Sequence, residues 1–503
     1  MKWINKNKFE VFTLLIILGV ACFLRFYQLP GYMTFLGDEG RDALVVKDIL
    51  VNHHLVTIGP PMSVSTSSGG IINLGPLYYY LMAFSMAIFW LNPIAASYMV
   101  AVIGVLTVSL IYYLSRVWFG KLAAVVASIL YSVSSVTVIY SRSSWNPNPA
   151  PFFALLSILG LYKSYQTGKS RWLILTGASV AAALQMHYLS LILIPIVILL
   201  WAYELRQIDK KNWTHFWQAS VLAVLVFFLV MSPLILFDIR HQFVNFKAFT
   251  SIFFAKDAGV SINPVFSLTK IIPIYFNNLI GRYLTAETWV LSLVVGLLGL
   301  IPLGWLIKQK FSHKPLSWPK LALSTWLALG LIGLSLTKQQ INDHYLGFFN
   351  PAPFLLLGAV SQKLVQLPKK TKIMAQAVLV LLMLVLIALN LSRNPLNYPP
   401  SNQLQRTQEI AKFVIAHSNN KPFNFALIAG SNYDAAYQYY LDLYGHKPGL
   451  LPKDTTDQLF VVCEDPVCKP VGHPKYEIAA FGWSKLDEEY QIEGVKIFKL
   501  SHF

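Results

Sequence analysis

An all-α polytopic membrane domain of about eleven transmembrane helices, with a small C-terminal α/β domain outside the bilayer, is the fold class this sequence predicts. Three observations predict it. The chain is 55% hydrophobic and only 13% charged, where a soluble domain carries roughly 25% charged residues. Apolar runs long enough to cross a bilayer recur as far as Leu391. Beyond that point long apolar runs cease, so residues 1–392 read as the membrane domain and residues 393–503 as a soluble one. The net charge of +17 comes from Lys and Arg dispersed between apolar runs. Such dispersion marks loop anchors under the positive-inside rule, not a nucleic-acid surface.

The runs, in order, are Phe9–Tyr27, Ile94–Leu114, Leu122–Tyr140, Pro149–Tyr165, Trp172–Met186, Leu189–Tyr203, Phe216–Phe237, Trp289–Ile307, Leu321–Leu336, Phe348–Val365 and Ile373–Leu391. Arg25 and Gln28 end the first run without a small-residue cleavage pattern, so it reads as a signal anchor. One further run, Leu77–Leu91, is short, follows Gly75-Pro76 and opens with three tyrosines. Loop charge decides its role. If it does not cross, Lys2/Lys6/Lys8, Arg116/Lys121, Lys163/Lys169/Arg171, Arg206/Lys210/Lys211, Lys308/Lys310/Lys314 and Lys369/Lys370/Lys372 all share one side. That side is the cytoplasm. The expected protein is a multi-pass cell-membrane protein with a cytoplasmic N-terminus, a surface or re-entrant helix at Leu77–Leu91, and an extracytoplasmic C-terminal domain.

In the tail, Ser401 is positioned to cap a helix running to about His417. FALIAG, QLFVVC, YEIAAFG and VKIFKL read as strands. Tyr433, Tyr437, Tyr440 and Tyr444 recur at helical spacing and read as core packing, the alternative being a sugar-stacking surface. Cys22 lies in the first span, while Cys463 and Cys468 lie in the tail, where a disulfide can persist. Zinc would need further ligands at metal spacing, which do not follow.

Polar groups that could carry chemistry collect in the loops expected to face outward. Asp38 and Glu39 stand just past the first span, with Arg41 two residues on. The pair suits the N-terminus of a helix running to Leu50, and a carboxylate there can also serve as a base. Arg142, Trp145, Asn146 and Asn148 occupy the turn SRSSWNPNP, and His187-Tyr188 sits between two spans without a spacer. Lys338, Asp343, His344 and Tyr345 lie in KQQINDHY. Each group has an ordinary reading, as a Pro-Asn turn, an interfacial anchor or a snorkelling lysine. Together, Arg, Lys and His on one face suit a membrane-borne phosphate. Neither GxxxxGK[ST] nor GxGxxG occurs, which argues against a cytosolic nucleotide donor. HExxH and paired-Cys metal motifs are also missing.

The chain resembles the GT-C glycosyltransferases that use polyprenyl-phosphate sugars, in the branch of protein O-mannosyltransferases and bacterial aminoarabinose transferases. The resemblance rests on Asp38, Glu39 and Arg41, on GPLYYYL at Gly75–Leu81, on SRSSWNPNPAPFF, on QMHYL at 185–189 and on KQQINDHYLGFFNPAP at 338–353. It covers roughly residues 1–390, and not the tail. It implies inverting transfer of a sugar from a lipid phosphate to a lipid, glycan or protein acceptor on the outer face, without an obligatory metal or other cofactor. By resemblance Asp38 is the catalytic carboxylate, Glu39 its support, and Arg41 a donor-phosphate ligand. His187 falls where relatives place a basic residue near that phosphate. Asn146 stands where relatives often carry an acid, and Gly75 where the aminoarabinose branch has Lys. Arg142, Asn146, His187, Tyr188, Lys338, His344 and Tyr345 complete the expected donor set. Arg41 is expected to share one cavity with at least two of Arg142, His187, Lys338 and His344. The rival reading is a transporter or flippase of lipid-linked sugars. It is disfavoured because no internal repeat is evident and ionisable residues gather at the outer boundary.

Overall fold

The computed structural model describes residues 7–62, 71–254, 259–261, 263–301, 304–305 and 316–503. Expectations resting on Lys2, Lys6, Lys308, Lys310 and Lys314, and on the end of the run Trp289–Ile307, lie outside the described residues. The chain divides into two compact units. One comprises Met1–Tyr27, Val56–Leu81 and Tyr98–Tyr398; the other comprises Gln28–Leu55, Met82–Ser97 and Pro399–Phe503. The sequence places a single boundary at residue 392. The structure instead gathers two early segments, including the one carrying Asp38, into the unit that contains the tail.

The first unit is helical. Its main elements are α1 (Lys8–Phe26), α4 (Ile94–Trp118), α5 (Lys121–Val133), α6 (Ala150–Thr167), α7 (Leu173–Met186) and α8 (Leu193–Gln207). They continue with α9 (Trp213–Arg240), α10 (Val244–Phe254), α11 (Pro264–Pro273), α12 (Trp289–Leu298), α13 (Trp318–Ser335), α14 (Pro351–Leu364) and α15 (Lys369–Ser392). Each of the eleven apolar runs is largely helical where it is described. Among the described residues, five helices are long and apolar enough to cross a membrane: Lys8–Phe26, Ile94–Trp118, Tyr188–Gln207, Lys210–Arg240 and Thr371–Ser392. Between them α2 (Gly37–Val51) and α3 (Leu77–Ile88) are shorter. At 1.5 Å per residue α3 is about 18 Å long, short of the ~30 Å hydrocarbon core.

Close helix crossings depend on small residues. A Cβ at Gly177 of α7 would overlap the Ala223 carbonyl of α9, and one at Gly160 of α6 would overlap Thr176 of α7. Small residues at such points let backbones approach where apolar burial alone gives no preference.

The run Leu122–Tyr140 is not one helix. It breaks at Ser134, between α5 and a short helix Ser135–Tyr140. Serine side chains compete for backbone hydrogen bonds, and here tertiary partners fix the break. Ser134 Oγ donates to the Tyr283 carbonyl at 2.8 Å, and the Ser135 N–H donates to Asn390 Oδ1 at 3.1 Å. The run from Leu189 likewise opens as a 3₁₀ turn, Tyr188–Ile192, before α8 begins. Within the stretch expected to be a loop, Ile274–Arg282 winds as a π-helix, a geometry that favours functional sites.

The second unit carries a four-stranded sheet in the order β1-β2-β4-β3. Its strands are β1 (Asn424–Ile428), β2 (Gln458–Cys463), β3 (Ser484–Ile492) and β4 (Val495–His502). β1 and β2 are parallel; β2–β4 and β3–β4 are antiparallel. Helices α16 (Gln403–His417), α17 (Ala435–Leu443) and α18 (Tyr476–Phe481) belong to the same unit.

Two tail expectations need correction. YEIAAF is α18, not a strand: Ile478 and Phe481 are buried three residues apart, which is a helical period. Edge strand β3 was not anticipated, because its exposed, charged residues hide the apolar alternation that marks a strand. The N-cap of α16 is Asn402, one residue past Ser401. Cys463 and Cys468 form a disulfide. Tyr437 and Tyr440 are core residues, whereas Tyr433 is 38% exposed.

Helix α2 packs on α17 through its glycines. A Cβ at Gly40 would overlap the Ala436 backbone, and one at Gly37 would overlap the Tyr433 ring. Lys47 Nζ adds an ion pair to Asp442 at 2.8 Å. Gly40→Val is therefore expected to force α2 off α17 and to abolish activity. Limited proteolysis should show new cleavage near residues 30–55 with the membrane helices still protected; an unchanged digest would mean that the crossing tolerates the side chain.

Candidate active site

The acidic pair splits into two roles. Leu36 is extended, and α2 starts at Gly37 with Asp38 and Glu39 in its first turn, where the helix dipole favours negative charge. Glu39 turns back on this start. Its Oε2 accepts from the Leu36 N–H at 3.2 Å and its Oε1 from Thr34 Oγ1 at 2.5 Å, so it satisfies the backbone donor at the N-cap, as the glutamate of a capping box does. Asp38 turns outward, with its side chain 42% exposed. Its Oδ1 accepts from Arg41 Nη1 at 2.9 Å and from the Tyr433 hydroxyl at 2.8 Å. Burial pushes the Tyr433 phenol above its ordinary range, which keeps it a donor to the carboxylate.

Arg41 also donates to Asp42 Oδ1, from Nε at 2.9 Å and from Nη2 at 2.7 Å. Asp42 is fully buried. Burial pushes its carboxyl up to about 7, against the opposing pull of Arg41. The scaffold behind this turn comes from the tail. The Gly37 N–H donates to Asn432 Oδ1 at 2.9 Å, and Asn432 Nδ2 donates to Glu464 Oε2 at 2.9 Å. The Tyr437 hydroxyl donates to Glu464 Oε1 at 2.6 Å. Asp42, Tyr433, Asn432 and Glu464 were not foreseen at this site. Only Asp42, one position past Arg41, carried a local signal.

The Asp42 shift has a testable sign. Its folded value of about 7 lies above the unfolded value of ~3.9, so the native state holds the proton more tightly. Stability from this group is fully present below about pH 4 and is lost as pH rises toward 7. Melting of the intact protein between pH 5 and pH 8 should show a decline that Asp42→Asn flattens. Parallel curves for the two proteins would mean that Asp42 does not titrate there.

In the helical unit, residues from three loops form an aromatic and imidazole cluster. The His187 ring lies 4.8 Å from Tyr345, 4.7 Å from Tyr188 and 6.2 Å from His344. His344 lies 4.2 Å from Trp145 and 4.4 Å from Tyr345. His187 Nδ1 accepts from the Leu189 N–H at 3.3 Å, which leaves Nε2 to carry the proton. Burial, reinforced for His187 by the neighbouring His344, pushes His187 down to about 3 and His344 to about 4. At neutral pH both rings are uncharged donors, not the cations the sequence suggests. A bound anion would raise both values.

Other expected ligands have different duties. Arg142 is 2% exposed and donates to the Leu24 and Tyr27 carbonyls, each at 2.8 Å; it clamps the end of α1. Asn146 Nδ2 donates to the Met186 carbonyl at 2.7 Å, fixing the turn that carries His187. Lys338 is exposed, and among the described residues its side chain makes no hydrogen bond or ion pair. Of the four cations named for this unit, then, His187 and His344 come together. Asp343 is gripped by Arg282, whose Nε lies 3.1 Å from both carboxylate oxygens. Arg282 also pairs with Glu287, and these partners hold its guanidinium above the ordinary range. Arg282 was missed; its signal was a lone cation in the apolar stretch NNLIGRYL. Gly75 has a steric reason: a Cβ there would overlap Gln185, whose Oε1 accepts the Leu77 N–H at 3.0 Å.

Residues 73–236 match the family model described as dolichyl-phosphate-mannose-protein mannosyltransferase, under half of the chain. No curated protein matches the sequence. The structure is similar to ArnT from Cupriavidus metallidurans bound to undecaprenyl phosphate, with a TM-score of 0.53, 14% identity, and 99% of this chain and 98% of that one covered. It is also similar to the archaeal oligosaccharyltransferase AglB from Archaeoglobus fulgidus in complex with an inhibitory peptide and a dolichol-phosphate. There the TM-score is 0.55 at 13% identity, over 91% and 70% of the two chains. The apo oligosaccharyltransferase of the same organism aligns with a TM-score of 0.55 at 13% identity over 87% of this chain, which spans 64% of its length. The fold is of the GT-C type, as the resemblance implied.

Proposed function

We propose that this protein is an integral-membrane inverting glycosyltransferase that moves a sugar from a polyprenyl-phosphate donor to an acceptor on the outer face of the membrane. The observation that carries the reading is the half-exposed Asp38 carboxylate, held at one oxygen by Arg41 and Tyr433 and, among the described residues, open at the other. That is the arrangement a general base needs: fixed in direction, yet accessible. The GT-C fold supports the reading, since structures similar to this one hold undecaprenyl phosphate and dolichol-phosphate.

In this mechanism Asp38 takes the proton of the acceptor hydroxyl. The acceptor oxygen attacks the sugar C1, and the C1–O bond to phosphate breaks with inversion. Negative charge grows on the departing phosphate, so donors and cations facing it lower the barrier. Arg41 is assigned to that charge. The cluster of His187, His344, Tyr188 and Tyr345 in the helical unit is a separate candidate for binding the lipid-linked donor. Glu39 supports the helix start, Asn146 positions His187, and Arg142 belongs to the fold. Lys338 is left as an exposed cation that attracts an anionic headgroup. Among the described residues no group of three or more His, Cys, Asp or Glu could hold a metal ion, and no step is assigned to one.

The direct test is to incubate the intact protein in lipid nanodiscs with a panel of polyprenyl-phosphate sugars and measure free lipid phosphate. Release from one of them is expected; a transporter would leave every sugar–phosphate bond intact. The topology assigned with this function has a cytoplasmic N-terminus and an extracytoplasmic second unit. Its warrant is the one-sided placement of Lys and Arg in short loops. A cysteine introduced beside Lys210 should resist an impermeant thiol reagent added from outside, and labelling there would reverse the assignment.

A further inference from the structure

We propose that the cavity lined by α2 and the tail of the second unit is the acceptor site, and that the acceptor it takes is a carbohydrate. This rests on the glycosyltransferase reading above and names its acceptor class. The cavity measures about 810 Å³, within the range of sites that enclose small ligands. Arg41 and Tyr433 both line it, and both bond Asp38 Oδ1. A molecule in the cavity therefore lies beside the groups that hold the base.

The lining selects the ligand. Arg41, Lys47 and Lys447 line the cavity together with Asp48, Asp434, Asp442 and Glu477. Such mixed charge gives no advantage to a phosphate or an anionic headgroup. It suits a neutral ligand dense in hydroxyls, each of which both donates and accepts. Two tyrosines, Tyr433 and Tyr476, add ring faces, and Tyr476 is 62% exposed, as a platform for the C–H face of a sugar should be. Glu477 also lines the cavity, and a carboxylate there is an acceptor for a sugar hydroxyl. In the transfer step the acceptor O–H proton passes to the Asp38 carboxylate and its oxygen bonds to the donor C1. The electron pair of the broken C1–O bond leaves with the lipid phosphate.

The test uses the full-length protein in nanodiscs and saturation-transfer NMR with mannotriose, maltotriose and chitotriose, and with a Ser/Thr-containing hexapeptide. Release of lipid phosphate to water is followed in the same samples. At least one trisaccharide should bind saturably. Tyr476→Ala and Glu477→Gln should each weaken it about tenfold, with unchanged melting. Saccharide binding that survives both substitutions, binding of the hexapeptide alone, or no saccharide binding to protein that still hydrolyses donor would each overturn the proposal. If no donor is hydrolysed at all, the transferase reading fails instead, and the NMR result still decides whether the cavity takes a sugar.

Discussion

Asp38→Asn is expected to lower turnover by about 10²–10⁴-fold, the typical worth of a positioned base. Asparagine keeps an oxygen for the Arg41 and Tyr433 donors that meet Asp38 Oδ1, so the turn should stay in place. What it removes is the basic oxygen that receives the acceptor proton. Melting temperature and donor binding should therefore change little while lipid-phosphate release with acceptor collapses. Glu39→Gln serves as the internal contrast. Glu39 spends its oxygens on the Leu36 N–H and the Thr34 hydroxyl, so its loss weakens a helix cap, an effect of ~1 kcal/mol. Stability should fall modestly and turnover less than for Asp38→Asn. A dead Glu39→Gln with an active Asp38→Asn would reverse the assignment within the pair.

Arg41→Ala should have the second-largest effect, and on two properties at once. Arg41 bridges Asp38 and the fully buried Asp42. Removing one partner of a buried ion pair typically costs ~3–5 kcal/mol. Asp42 limits this cost by taking up a proton, since its carboxyl already sits near 7, so the loss of stability should be larger at pH 8 than at pH 6. Activity should fall at both pH values, because Asp38 loses one of its two fixed donors and the departing phosphate loses a cation. Arg41→Lys restores charge without the fork that meets both carboxylates and should rescue stability more than turnover. Normal donor use and normal melting in Arg41→Ala would remove Arg41 from the site.

The features legible along the chain are those set by local physics. An apolar run in a bilayer must satisfy its backbone internally, which is why all eleven runs are largely helical where described. An acidic pair at the start of a helix is likewise a local signal, and Asp38 and Glu39 do open α2. Two cysteines five apart in a polar tail were compatible with a disulfide, and one is present. Tertiary structure decided what depends on distant partners. Tyr433 lies 395 residues from the carboxylate it bonds, and Arg282 lies 61 from Asp343. No periodicity encodes such pairs. Nor could spacing tell that Arg142 faces carbonyls, that Glu39 faces its own helix start, or that burial strips His187 and His344 of charge. Residue type supplies the available chemistry; direction and desolvation, which choose among its uses, arise only when the chain closes on itself.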